Sequence, residues 1–94
     1  MIYKLTFKVE AQKEWKKLDA TVKNQFKKRL AERLSNPHVK TAKLSGMPNC
    51  YKIKLRSAGY RLVYEVRDAE IVVSVVAVGK RERNEVYKTA IKRI

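Results

Sequence analysis

Residues 50–67 read CYKIKLRSAGYRLVYEVR, a stretch in which apolar side chains alternate with cationic ones around a central glycine. Successive side chains of a β-strand point to opposite faces, so this alternation predicts two strands that each have one apolar face. Glycine adopts the backbone angles of tight turns without steric cost, and we therefore expect the turn at Ala58-Gly59. The stretch predicts a β-hairpin.

The register of this hairpin is set by the requirement that both apolar sets share one face, since a slip of one residue would turn a set over. The expected cross-strand pairs are Arg56 with Arg61, Lys54 with Val63, and Lys52 with Glu65. The opposite face then carries four cations, Lys52, Lys54, Arg56 and Arg61. Like charges that face each other across strands cost up to about 1 kcal/mol. The cluster therefore indicates either an anion site or a solvated basic face.

Composition limits the kind of protein that this chain can be. Its 94 residues are expected to form a single domain, residues 1–94, and 45% hydrophobic residues is typical of a folded protein. A formal net charge of +14 predicts a polyanionic partner, either nucleic acid or an acidic protein, with an anionic membrane as the weaker alternative. One cysteine and one histidine argue against an internal disulfide and a closed zinc site, and no apolar run is long enough to span a membrane. We expect a cytoplasmic protein without a metal or cofactor.

A strand and two helices are predicted before the hairpin. Apolar residues alternate over residues 2–9 and take helical spacing over 10–18, where Trp15 is expected to anchor the core. A second helix is expected to begin at a cap, Asp19 or Thr21, and to end at the proline of residues 35–37. Its buried stripe is Val22, Phe26, Leu30 and Leu34, and its outer face carries Lys23, Lys27, Lys28, Arg29 and Arg33. That outer face is either solvated or a surface that follows phosphates.

The remaining segments are a loop, a buried strand and a terminal helix. His38 lies in the loop of residues 38–49 and is expected to be a surface or hairpin contact. The apolar run of residues 71–78 predicts a central strand covered on both faces and ended by Gly79. A two-residue turn at Asp68-Ala69 would pair Val76 with Arg61 and Ser74 with Val63. Residues 84–94 have helical spacing, and Arg81 follows the strand closely enough to reach the cationic face.

Two segments, KLSGMPNCYKIKLRSAGYRLVYEV (residues 43–66) and GKRERNEVY (residues 79–87), closely resemble the RelE toxin family, and EWKKL (residues 14–18) extends the resemblance over the chain. The resemblance implies an α+β fold of β-α-α-β-β-β-α order, with a curved antiparallel sheet, a helical hairpin on one face and a C-terminal helix. It also implies the toxin of a toxin–antitoxin pair, a ribosome-dependent messenger-RNA endonuclease. Such an enzyme cleaves A-site codons by 2′-hydroxyl attack, which leaves a 2′,3′-cyclic phosphate and a 5′-hydroxyl.

The resemblance also implies which residues act and what they bind. The expected catalytic residues are Lys52, Lys54, Arg61, Arg81 and Tyr87. The expected RNA- or ribosome-binding residues are Arg56, Lys23, Lys27, Lys28, Arg29 and Arg83. The implied partners are a RelB-like antitoxin, the A site and 16S rRNA of the 70S ribosome, messenger RNA and, for the toxin–antitoxin complex, operator DNA. One departure is Ser45, where the family pattern has arginine.

The predicted cluster contains no histidine or glutamate that could act as an obvious general base. We therefore hypothesise that crowding by neighbouring cations lowers the pKa of Lys54, so that its neutral amine accepts the 2′-hydroxyl proton. Arg61 would hold two phosphate oxygens in its planar fork. Two other readings remain: a non-catalytic ParE-like toxin that binds DNA gyrase, and a basic nucleic-acid-binding module.

Overall fold

The structure is a computed structural model and describes residues 2–82 and 84–94. Its elements in chain order are β1 (Lys4–Phe7), α1 (Val9–Lys16), α2 (Ala20–Ser35), a 3₁₀ turn (Lys40–Ala42), β2 (Cys50–Leu55), β3 (Tyr60–Arg67), β4 (Val72–Lys80) and α3 (Glu85–Arg93). The predicted order is confirmed, and the 3₁₀ turn is an addition to it. Arg83, one of the expected RNA contacts, lies outside the described residues.

The helices form where capping and apolar spacing predict them. Asp19 caps α2 by accepting a hydrogen bond from the Val22 backbone N–H at 2.9 Å, so Asp19 is the cap of the two expected. Three residues of the predicted stripe are buried and Leu34 is half-buried. Trp15 packs against the rings of Phe7 and Phe26, at centroid distances of 5.3 and 6.1 Å, as a core residue should.

The four strands form one sheet in the order β1-β4-β3-β2. The pairs β2–β3 and β3–β4 are antiparallel, whereas β1 pairs with β4 in parallel. The α+β class and element order are therefore confirmed, but the expectation of a wholly antiparallel sheet is wrong for β1. The reason lies in the connections. The segment of α1 and α2 brings the chain back so that β2 runs in the same direction as β1. β3 is antiparallel to β2 and β4 is antiparallel to β3, so β4 again runs in the direction of β1.

The hairpin of β2 and β3 forms, but its register differs by two residues from the predicted one. The observed pairs are Lys54 with Arg61 and Lys52 with Val63, not Arg56 with Arg61, Lys54 with Val63 or Lys52 with Glu65. A four-residue loop, residues 56–59, causes the difference: the Gly59 N–H donates to the Leu55 carbonyl at 2.8 Å, and Gly59 has φ +72°. Because a shift of two preserves the alternation, each side chain keeps its predicted face.

The pairing of β3 with β4 also differs from the prediction. Arg61 pairs with Gly79 and Val63 with Ala77, so the expected partners Val76 and Ser74 are wrong. A register irregularity at Val63/Tyr64 and a loop of residues 68–71 in place of a two-residue turn account for the change. Gly79 does not end the strand, which continues to Lys80. Val86 of α3 packs over it, and a Cβ at this position would lie 3.4 Å from a Val86 methyl, at van der Waals contact.

Two hydrophobic clusters lie on opposite faces of the sheet. The larger one joins the sheet to α1 and α2. The smaller one lies under α3 and consists of Met47, Cys50, Val63, Val76, Ala77, Val86 and Ala90, with Leu44 and Tyr87 half-buried at its border. As predicted, β4 contributes to both clusters. None of the helices in the described part of the chain is long and apolar enough to cross a bilayer.

Candidate active site

The centre of the candidate site is a direct cross-strand pair of cations, Lys54 on β2 and Arg61 on β3. Neighbouring positive charge holds the pKa of Lys54 below its ordinary value of 10.5. The largest cause is Lys52, and partial desolvation and the charges of Arg61, Arg56 and Arg81 add to it. The other three cations predicted for this face, together with Arg81, therefore act on Lys54, and the lowered pKa has the direction that the crowding hypothesis requires.

Arg61 is held by the residues that begin α3. Its Nη1 donates to the Asn84 side-chain oxygen at 2.8 Å, and its Cζ lies 5.1 Å from the centre of the Tyr87 ring. Asn84 has φ +61°, a left-handed conformation that asparagine tolerates better than most residues. Sequence reasoning did not single out Asn84: an asparagine before a helix is typical of a cap, but this side chain makes no capping hydrogen bond and binds Arg61 instead. The structure thus places Arg61 and Tyr87 together, as expected.

Two polar atoms at this centre have no hydrogen-bond partner among the described residues. The Nε of Arg61 and the hydroxyl of Tyr87 are both buried. Burial raises the pKa of Tyr87, an effect that the Arg61 charge partly offsets, so the phenol stays protonated and can donate. A buried polar group without a hydrogen-bond partner costs free energy, so two such groups at one site indicate atoms that could bind a ligand.

Arg81, the fifth expected catalytic residue, is held beside the Lys54–Arg61 pair by its backbone. Its N–H donates to the Gly59 carbonyl at 2.8 Å, which ties the end of β4 to the β2–β3 loop. The side chain is exposed and close enough to lower the pKa of Lys54. The five expected catalytic residues are therefore connected around the Lys54–Arg61 pair: Lys52 and Arg81 lower the pKa of Lys54, and the Tyr87 ring lies against Arg61.

A basic groove, here meaning the cavity of about 350 Å³ along the outer edge of β2, adjoins this point. Its cationic lining residues are Arg29, Arg33, Lys52, Lys54 and Arg56. A second cavity of about 330 Å³ continues from it and adds Lys28. Of the expected RNA contacts, Arg56, Arg29 and Lys28 thus border these cavities, whereas Lys23 and Lys27 lie on α2 outside their linings.

His38 lies apart from the catalytic residues, as predicted. Its ring nitrogens contact the Tyr51 hydroxyl at 2.9 Å and the Asp68 carboxylate at 2.8 Å, so it joins the loop to the sheet. Within residues 2–82 and 84–94, no group of three or more His, Cys, Asp and Glu side chains could hold a metal ion. The site instead offers fixed cations and a phenol, which can stabilise charge that develops on a phosphate.

Comparison with known proteins gives this arrangement a context. Residues 5–85 match the sequence family described as ParE toxin of type II toxin–antitoxin system, parDE. The chain is 60% identical over 94 residues to the mRNA interferase toxin RelE of Escherichia coli K12, which covers 100% of this chain and 99% of the relative.

Solved structures agree with that similarity. A free-state E. coli RelE toxin with two arginines replaced by alanine has a TM-score of 0.92 and 57% identity, covering 100% of this chain and 99% of the other. The toxin in the intact E. coli RelBE toxin–antitoxin complex has a TM-score of 0.83 and 58% identity, covering 86% and 99%. The chain therefore belongs to the toxin family of type II toxin–antitoxin systems and is a member of its RelE group.

Proposed function

We propose that the protein is a ribosome-dependent endoribonuclease that cleaves messenger RNA in the ribosomal A site and thereby inhibits translation. The observation that carries the proposal is the Lys54–Arg61 pair, around which Lys52, Arg81 and Tyr87 are arranged. The full-length similarity to an mRNA interferase toxin supports the same activity.

The proposed reaction is attack of a ribose 2′-hydroxyl on the adjacent phosphorus. The new O–P bond forms as the bond to the 5′-oxygen breaks, which gives a 2′,3′-cyclic phosphate and a 5′-hydroxyl. Negative charge grows on the non-bridging oxygens, where Arg61 and Lys52 stabilise it because they are already in place. The neutral amine of Lys54 accepts the 2′-hydroxyl proton, and Arg81 stabilises the charge on the leaving 5′-oxygen, which takes a proton from water to become the 5′-hydroxyl. The protonated Tyr87 hydroxyl orients the nucleotide.

The ribosome is needed because this set of groups contains no histidine or glutamate that could act as an ordinary general base. The candidate base is a lysine amine, a group whose ordinary pKa of 10.5 lies well above neutral pH and is lowered here by neighbouring charge. Alignment of the 2′-hydroxyl with the leaving oxygen can supply the missing reduction of the barrier, up to roughly 7–11 kcal/mol in well-oriented systems. The ribosome, in the cytoplasm, would provide that alignment. Arg29, Lys28 and Arg56 at the basic groove are suited to bind 16S rRNA phosphates.

The proposed partner in the cell is a RelB-like antitoxin. The E. coli relative is crystallised as a RelBE complex, and a net charge of +14 favours an acidic partner. The antitoxin would cover the cationic surface and hold the toxin inactive, and the complex would bind operator DNA to repress its own synthesis.

The test is cleavage of a defined messenger by the purified toxin, with and without ribosomes that hold an empty A site. We expect cuts in codon register only with ribosomes, and ends that carry a 2′,3′-cyclic phosphate. Lys54→Met and Arg61→Met should each slow cleavage by about 10²-fold or more. Lys13→Met, which removes an exposed charge from α1, is the control and should cleave normally. Equal cleavage of naked RNA would contradict the proposal.

A second candidate, inhibition of DNA gyrase, is favoured only by the parDE description of the matching family. The same protein preparation can be added to a gyrase supercoiling assay. Inhibition of supercoiling without any codon-register cleavage would select this reading over the endonuclease.

A further inference from the structure

The strand that carries both catalytic lysines is an edge strand. β2 pairs along its length with β3 alone; its other edge has a single bridge, between Tyr51 and Lys43, and faces the basic groove. Two carbonyls on that open edge have partners: the Cys50 carbonyl accepts the Leu44 N–H at 3.0 Å, and the Lys52 carbonyl accepts Nη1 of Arg33 at 3.1 Å. Arg33 comes from the last turn of α2 and thus fastens the edge at a catalytic residue.

Arg33 is itself fixed from the core side. The same Nη1 donates to the Tyr64 hydroxyl at 2.9 Å, and Cζ lies 5.7 Å from the centre of the Tyr64 ring. Tyr64 is fully buried, and its hydroxyl donates to the Pro37 carbonyl at 2.8 Å. A continuous chain of hydrogen bonds therefore runs from Pro37, just after α2, through Tyr64 and Arg33 to the backbone of Lys52.

This chain opposes a force that the site itself creates. Lys54 and Arg61 face each other across the two strands, and their repulsion pushes the edge strand β2 away from β3. A hydrogen bond from a charged donor is about twice as strong as a neutral one, so Arg33 is well suited to hold Lys52 in place. A displacement of about 1 Å at a reacting group can cost roughly 10²-fold in rate.

We infer that Arg33 is a positioning residue for the cleavage reaction: it holds the backbone of Lys52, and with it both catalytic lysines, against Arg61. This inference rests on the proposed endonuclease function. The competing role is that of a simple phosphate contact, because Arg33 also borders the basic groove. The two roles differ in what Tyr64 does. A phosphate contact needs only the charge of Arg33, whereas a positioning residue also needs the Tyr64 hydroxyl that anchors it.

The experiment measures single-turnover cleavage on A-site ribosome complexes, giving a saturating rate constant and a half-saturating ribosome concentration for each variant. The variants are Arg33→Met, Tyr64→Phe and the double variant. The matched control is Tyr51→Phe, since the Tyr51 ring stacks on Tyr64 at 5.6 Å and its hydroxyl contacts His38 rather than Arg33. Circular dichroism at the assay temperature verifies that every variant is folded.

We expect Arg33→Met and Tyr64→Phe each to lower the saturating rate constant by about tenfold or more, with half-saturation within about twofold of the native value. The effects of substitutions at residues that act through one contact do not add, so the double variant should be no more than about twofold slower than the slower single variant. Tyr51→Phe should cleave at the native rate.

Other results overturn the inference. If Arg33→Met raises the half-saturating concentration at an unchanged rate constant while Tyr64→Phe cleaves normally, Arg33 is a phosphate contact. If Tyr51→Phe is as slow as Tyr64→Phe, the effect is one of general packing. In both cases the native toxin still cleaves, so the proposed function stands. If the native toxin itself fails to cleave, the proposed function is wrong and the positioning role with it.

Discussion

Arg93, in the last turn of α3, joins that helix to α1 and β4, and its replacement tests how firmly the helix is held. Its guanidinium binds the Glu14 carboxylate through two atoms, at 2.8 and 2.9 Å, and donates to the Val76 carbonyl at 2.9 Å. A Glu14 oxygen also accepts the Val78 N–H at 3.2 Å. Arg93→Met keeps much of the aliphatic bulk and removes all of the arginine's hydrogen bonds.

The size of the expected stability loss follows from how far the Arg93–Glu14 pair is buried. The Arg93 side chain is 15% exposed and that of Glu14 is 32% exposed, so the pair is neither a surface ion pair nor fully buried. Exposed pairs contribute about 0–1 kcal/mol, and loss of one partner from a buried pair costs about 3–5 kcal/mol. We expect Arg93→Met to lower the free energy of unfolding by about 2–3 kcal/mol, between these limits. That is a large part of the roughly 5–15 kcal/mol typical of a domain.

The assay is urea unfolding followed by circular dichroism. With a urea dependence of about 1–3 kcal/mol per M, the expected loss moves the midpoint down by about 0.7–3 M. Lys88→Met is the matched control, since it removes an exposed cation from the same helix and should leave the midpoint nearly unchanged. Cleavage should also slow, because α3 carries Tyr87. A midpoint shift for Arg93→Met no larger than that of the control would refute the reasoning.

Three other predictions follow from single features of the structure. If the neutral amine of Lys54 is the base, the cleavage rate should rise with pH and level off below the ordinary lysine pKa of 10.5. Lys52→Met removes the largest cause of the lowered pKa, so the pH–rate profile of this variant should move to higher pH. An unmoved profile would exclude Lys54 as the base. Burial raises the pKa of Cys50 to about 11, so iodoacetamide at neutral pH should alkylate the native protein far more slowly than the urea-unfolded one, and equal rates measured by mass spectrometry would be inconsistent with this. Asp19→Ala removes the cap on the Val22 N–H and should cost about 1 kcal/mol in urea unfolding, whereas no loss would mean that the cap contributes nothing.

The alternation of side chains was enough to predict the faces of the hairpin, but it could not predict the register. A shift of two residues leaves every side chain on its predicted face, so the pattern carries no information that separates the two pairings. The geometry of the loop closed by Gly59 decides between them. The same limit applies to β3 and β4, where the irregularity at Val63/Tyr64 has no periodic signal.

Other features depend on contacts between segments that are distant in sequence. A glycine predicts the end of a strand, yet Gly79 lies within β4, where it pairs with Arg61 of β3 and lies beneath Val86 of α3. Arg33 looks like any other cation on the outer face of α2, and only the fold brings it to Lys52 and Tyr64. The residues expected to be catalytic were identified by resemblance, and the sheet explains why they lie together.

The unequal size of the two hydrophobic clusters has a consequence for how the molecule opens. Regions with few buried apolar contacts open locally at a lower free energy than the whole domain. On the α3 side the helix contributes only Val86 and Ala90 to the fully buried set, so this side should exchange its amide hydrogens well before the α1–α2 side does. The α3 side, which carries Tyr87, would then open at a lower free energy than the rest of the domain, and moderate heating would abolish cleavage while most of the fold persists.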